Sequence, residues 1–166
     1  MGTLRLTQTS PTSGRHRVQL DLDGDGLPQS AVAEFAFALV DQDREDLRWY
    51  LEDYLKYPVD PAPRIAARVQ ERMAEVGREL FSAIFDSDSG ARALWADASR
   101  DLAGTRVEVV SEVDAATALP WELLRVPATD TPVALEAAAF VRAQRQVARR
   151  AQAPGWLRVS GSGCCW

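Results

Sequence analysis

One histidine and two cysteines are the side chains of this sequence best suited to nucleophilic chemistry. A cysteine attacks as a thiolate and needs a base within hydrogen-bond reach. His16 stands near the start of the chain, whereas Cys164 and Cys165 close the run Ser160-Gly161-Ser162-Gly163-Cys164-Cys165-Trp166. A glycine-serine run offers no rigid element to hold a thiolate against an imidazole, so the two are not read as a dyad and no catalytic residue is assigned. Adjacent cysteines pair only with strain, and they supply too few ligands for a metal. A second candidate is Asp21-Leu22-Asp23-Gly24-Asp25-Gly26, which fits the opening of a calcium loop with oxygen ligands at alternate positions and a glycine at the turn. The fit fails downstream, where Val32 takes the place of the bidentate glutamate and Pro28 interrupts the exiting helix. An acidic turn is the simpler reading, and a calcium-binding module stands as the weakest functional alternative.

The elements that would position these groups follow from periodicity. Leu4 and Leu6, then Val18, Leu20 and Leu22, alternate with polar residues across Pro11-Thr12-Ser13-Gly14, the pattern of a β-hairpin with one buried face. Parity puts His16 on that face. Residues 31–40 fit a strand or a helix equally well. From Gln42 the period becomes helical, with Leu47, Tyr50, Leu51, Tyr54 and Leu55 on one stripe as far as Pro58. Asp60 followed by Pro61 reads as an N-cap and first helical residue of a long helix, lined by Ile65, Val69, Val76, Leu80 and Ile84. The charged remainder of that helix, from Arg68 to Glu79, reads as a solvated face. Asp86-Ser87-Asp88-Ser89-Gly90 breaks it and caps another, carrying Ala91, Leu94, Trp95, Ala98 and Leu102 until Gly104. Residues 105–112 read as a strand, 119–124 as a short helix begun at Pro120, 127–132 as a loop and 137–150 as a strand with a basic end. The expected class is mixed α and β: a hairpin, helices and short strands.

Three stretches carry a resemblance. Arg48-Trp49-Tyr50-Leu51-Glu52, the segment from Gly77 to Phe85, and Leu119-Pro120-Trp121-Glu122-Leu123-Leu124 with the arginine-ended strand after it resemble, in order and spacing, the CHAT family. The similarity covers roughly residues 30–158. The resemblance implies a caspase-like α/β fold, fused in many members to repeats or other sensors, with a histidine–cysteine peptidase dyad. The dyad motifs lie downstream of the Pro-Trp-Glu block in that family and find no match here. The chain is therefore expected to be the front of a CHAT region and not an enzyme by itself, a scaffold or regulator whose partner is the missing caspase-like part. Trp49, Glu52, Pro120, Trp121, Glu122, Leu123 and Leu124 are its motif residues in a structural role. Trp121 should anchor a core, with its indole N–H or the Glu122 carboxylate satisfying a buried backbone group. The runner-up is a free-standing module whose Leu, Trp and Tyr helices dock another protein.

Composition narrows the classes further. With 166 residues, 46% hydrophobic and 26% charged, the chain can bury one core. A net charge of −5 argues against a nucleic-acid partner, which requires a concentrated basic surface. Arg142, Arg145, Arg149, Arg150 and Arg158 read as a strand's solvent face. No stretch is long and apolar enough for a membrane span and no leader is recognised, so the expected site is the cytoplasm. No cofactor is implied. Lys56 is the only lysine among many arginines, a skew that fits a GC-rich bacterial gene. Three regions are expected: hairpin and acidic turn over 1–28, the CHAT-like part over 29–158, and a Gly/Ser/Cys tail over 159–166 that is disordered or cut short by a frameshift.

Overall fold

The structure is a computed structural model that describes residues 2–12, 14–24, 26–56, 59–113 and 118–144. β1 (Gly2–Thr12) and β2 (Arg15–Asp23) form the expected hairpin, with Leu4 opposite Leu22 and Leu6 opposite Leu20. Gly14 turns the chain at φ 77°, a left-handed conformation that glycine adopts without a Cβ clash. β3 (Gln29–Phe35) adds antiparallel to β2, which settles the ambiguity over 31–40 in favour of a strand as far as Phe35. Three helices follow: α1 (Asp41–Glu52), α2 (Ala62–Phe85) and α3 (Ser89–Ala98). A 3-10 turn over Ser99–Gly104 leads into β4 (Thr105–Ser111), which lies parallel to β1. After a 3-10 turn at Trp121–Leu123 come the two-residue strands β5 (Arg125–Val126) and β6 (Thr131–Pro132) and the short α4 (Val133–Glu136). β7 (Ala139–Gln144) then pairs parallel to β4.

The fold is mixed α and β. Its five-stranded sheet has the order β3-β2-β1-β4-β7, in which β2 alone runs against the others. Alternate residues face the helices: Leu4 and Leu6, Val18 and Leu20, Ala33 and Phe35, Val107 and Val109, all buried. Against them lie Leu80, Phe81, Ile84 and Phe85 of α2, Ala91, Leu94 and Ala98 of α3, and Trp121, Leu124 and Val133 from the β4–β7 connection. Phe81, Phe85 and Trp95 close the core with ring centroids 4.8–4.9 Å apart. Burial on this scale, at about 25 cal/mol per Å² of apolar surface, is the dominant stabilising contribution. Among the described residues the opposite face of the sheet carries no helix. Nor is any described helix long and apolar enough to cross a membrane.

Local expectations are corrected at three places. α1 ends at Glu52, before the stripe does, and Leu51 and Leu55 are 65% and 78% exposed. The buried residue of α1 is Asp43, whose two carboxylate oxygens accept from Arg72 Nε and Nη2 of α2 at 3.0 Å each. The apolar stripe identified residues that share a side, but α2 meets only part of it, where Gln70 donates to the Tyr50 hydroxyl, and Leu51 and Leu55 stay outside. Pro58 lies outside the described residues. Asp60 does not cap α2: the helix begins at Ala62 with Pro61 flanking it and no side-chain cap, and Asp60 instead pairs with Arg64 at 3.6 Å. Leu102 belongs to the 3-10 turn and not to α3, although Asp88 caps α3 through the amides of Gly90 and Ala91 as expected.

Candidate functional site

In sheets of parallel strands, ligands and catalytic groups collect at the carboxyl ends. Here Gln8 of β1, Ser111 of β4 and Gln144 of β7 share one register at that end. His16, at the start of β2 and opposite Phe35 of β3, lies at the same end. Gln8 and Ser111 hold positions whose preceding neighbours, Leu4 and Leu6 or Val107 and Val109, point into the core, and both are buried. Two polar side chains therefore continue the core-facing phase of β1 and β4 at this end.

A hydrogen-bonded chain passes through them. The Leu119 amide donates to Gln8 Oε1 at 3.1 Å, Gln8 Nε2 lies 3.3 Å from His16 Nδ1, and His16 Nε2 lies 2.9 Å from the Phe37 carbonyl. The Gln8 carbonyl also accepts from the Glu112 amide at 2.9 Å, tying β1 to the segment after β4. The His16 ring stands 5.8 Å from that of Phe35. Both imidazole nitrogens are thus engaged by an amide and a carbonyl. Among the described residues Ser111 Oγ has no hydrogen-bond partner, so His16 and Ser111 are not joined as a base and its nucleophile. Cys164 and Cys165 lie outside the described residues.

The Pro-Trp-Glu block sits directly beside this end. Trp121 is fully buried, as a core anchor should be, but neither expected polar contact is made. Its indole N–H has no partner among the described residues, and Glu122 is exposed and bound to Arg142 of β7 at 2.8 Å. The physical reason is orientation: the 3-10 turn points adjacent side chains in different directions, Trp121 inward and Glu122 toward the β7 edge. Leu123 meets α2 at Gly77, where a Cβ would stand 1.9 Å from the Leu123 carbonyl oxygen. Two of the three stretches that carried the resemblance therefore touch, and a glycine in mid-helix is what allows it. Beside this contact Asp130 accepts two bonds from Arg78 at 2.8 and 2.9 Å, which hold its carboxyl below the ordinary carboxylate range.

No family model matches this chain, and neither a curated protein nor a solved structure matches it.

The remaining motif residues fall in two places, on α1 and beside Trp121. Trp49 is half-buried with its ring 5.8 Å from that of Tyr54, and Glu52 pairs with Arg48 on the surface of α1. Pro120 is half-buried and Leu124 buried, beside Trp121. Asp21 accepts bonds from Gln19 and Ser30 on the open sheet face, so the carboxylate belongs to a strand ladder instead of a loop. Asp25, Arg145, Arg149, Arg150 and Arg158 lie outside the described residues. Sequence reasoning passed over Gln8 and Ser111, although the signal was there: each is a polar residue on the apolar phase of an alternating strand. Nothing in the sequence marked Asp43 and Arg72 as partners.

Proposed function

We propose that this chain is the supporting, non-catalytic front part of a CHAT-type, caspase-like unit, which scaffolds or regulates a catalytic part bringing its own histidine and cysteine. The observation that carries this reading is the edge strand β7. Among the described residues no strand pairs beyond it. Proteins blunt exposed edges with charges, proline or a covering element. β7 instead presents Ala139, Val141 and Ala143 to the open face and Phe140 to the covered one, and its single charge, Arg142, is drawn to Glu122. A parallel strand that is apolar on both sides has the composition of an interior strand whose sheet is covered on both faces. Val110 on β4 extends the apolar strip beside Ala143, Arg106 and Glu108 pair with each other beside Ala139 and Val141, and Arg5, Arg17, Gln19, Asp21 and Glu34 make the β1–β3 part of the same face hydrophilic. A partner would therefore add to β7 and cover only that half, with the chain acting in the cytoplasm. The contact of Gly77 with Leu123 also supports the reading, because it gives the resembling stretches a shared structural role.

Sedimentation and hydrogen exchange test the proposal. The purified chain is expected to self-associate with rising concentration, to expose its β7 amides to exchange when dilute, and to become monomeric when Val141→Lys is introduced. A monomer whose β7 amides are as protected as those of β4 would sink it. The exposure of Leu51 and Leu55 on α1 favours a second reading, a free-standing module that docks a protein on that helix. Under that reading Leu51→Ser with Leu55→Ser abolishes partner binding and Val141→Lys does not.

A further inference from the structure

The polar chain at the carboxyl end of the sheet has a polarity set by its two backbone ends. The Leu119 amide can only donate, so the Gln8 atom facing it must be the oxygen, and the Gln8 amide nitrogen must face His16. The Phe37 carbonyl can only accept, so His16 Nε2 must carry a proton and Nδ1 must be the acceptor. The arrangement is complete only with a neutral imidazole.

We infer that His16 is a proton-sensitive latch between the β-hairpin and the Leu119-Pro120-Trp121 block. A proton on Nδ1 turns that nitrogen into a donor facing the donor Nε2 of Gln8. Rotating the Gln8 amide restores the bond to His16 but turns Nε2 toward the Leu119 amide, so one donor at the ends of Gln8 always faces another donor. Gln8 is fully buried, and water does not readily replace the lost bond. Of the charged groups near His16, Arg15 donates to the Glu34 carbonyl, Arg17 pairs with Glu34 at 3.3 Å, and Glu112 follows β4 with its amide bound to the Gln8 carbonyl. Proton uptake therefore acts on the link between the hairpin and the segment that leads into Trp121, releasing Leu119 first. This is independent of whether a catalytic partner joins β7.

The test is amide exchange and imidazole 15N NMR on the full chain. At neutral pH the His16 shifts are expected to report a protonated Nε2 and an unprotonated Nδ1. Between about pH 7.5 and about pH 5, protection of the Leu119 amide, corrected for intrinsic exchange, should fall about tenfold, the equivalent of one hydrogen bond. In His16→Gln that change should vanish. In Gln8→Glu, whose carboxylate can accept from both Leu119 and a charged imidazole, protection should rise on acidification. An Nδ1-protonated tautomer, or Leu119 protection that is unchanged across this range in the unaltered chain, would overturn the inference even if Gln8→Glu does not fold.

Discussion

Gly77→Ala puts the packing between α2 and the Pro-Trp-Glu block to a direct test. A helix gains about 1 kcal/mol when alanine replaces an interior glycine, so an open position would be stabilised. At residue 77, however, the new Cβ would lie 1.9 Å from the Leu123 carbonyl oxygen, 3.0 Å from the Leu123 carbonyl carbon and 3.1 Å from Arg125 Cγ. The arginine methylene can swing away, but the backbone carbonyl cannot. Relief requires the Leu123 backbone to retreat by at least about 1 Å, and the retreat pulls on Trp121 and Leu124, both sealed in the core. Overpacking of this kind costs about 1–3 kcal/mol, and a rigid carbonyl puts the cost at the upper end or beyond. Allowing for the helix gain, the net loss is expected to be about 2–3 kcal/mol. In urea unfolding with an unchanged slope near 2 kcal/mol per M, the midpoint should drop by about 1–1.5 M. Gly26, with no atom within 4 Å of a built Cβ, is the control, and its alanine variant should melt with the parent. A Gly77→Ala chain as stable as the parent would refute the close approach of α2 to Leu123.

Asp43→Ala should cost about 1–3 kcal/mol, since Asp43 is 5% exposed and Arg72 only partly so, and amides of α1 should lose exchange protection before those of α2. Equal protection of both helices in the variant would show that this pair does not hold α1 in place. Trp121→Ala is expected to cost about 3–5 kcal/mol and Trp121→Phe less than about 2, because the phenylalanine keeps most of the apolar volume and removes an N–H that has no partner among the described residues. If calorimetry gives the two variants equal losses, the indole N–H has a partner. Glu108 accepts from Arg5 at 3.0 and 3.2 Å and from Arg106 at 2.8 Å, which lowers its pKa from the ordinary 4.5. A depressed carboxylate stabilises the fold above its unfolded pKa and ceases to do so as pH falls through its folded one. Glu108→Gln should therefore melt below the parent at neutral pH, with the gap narrowing as pH falls below the ordinary 4.5, and a gap that does not narrow in acid would contradict the assignment.

Much of the fold is legible because its signals are local. Alternation at Leu4, Leu6, Val18 and Leu20 gave the hairpin and its buried face, Asp88 gave the start of α3, and the stripe from Val69 to Ile84 gave the inner side of α2. Pro61 shows the limit of such signals, since a residue that fits the first helical position stands just outside the helix. Leu51 and Leu55 show another, because periodicity says which side chains share a side and is silent on what lies against them. The site was half legible: Trp121 and the face of His16 could be placed, but the bonds that engage His16 could not.

By itself the sequence determined the hairpin, most of the helices and strands that follow it, and the inward phase of β1, β2, α2 and α3. Only the tertiary structure decided that β1 lies mid-sheet between β2 and β4, that Gln8 links Leu119 to His16, that Asp43 finds Arg72, and that Gly77 admits Leu123. Secondary structure depends on contacts within a few residues along the chain, where side-chain type and spacing are decisive. These pairings join residues from 8 to 111 positions apart in sequence, and their partners are chosen by which elements pack together to bury the apolar faces.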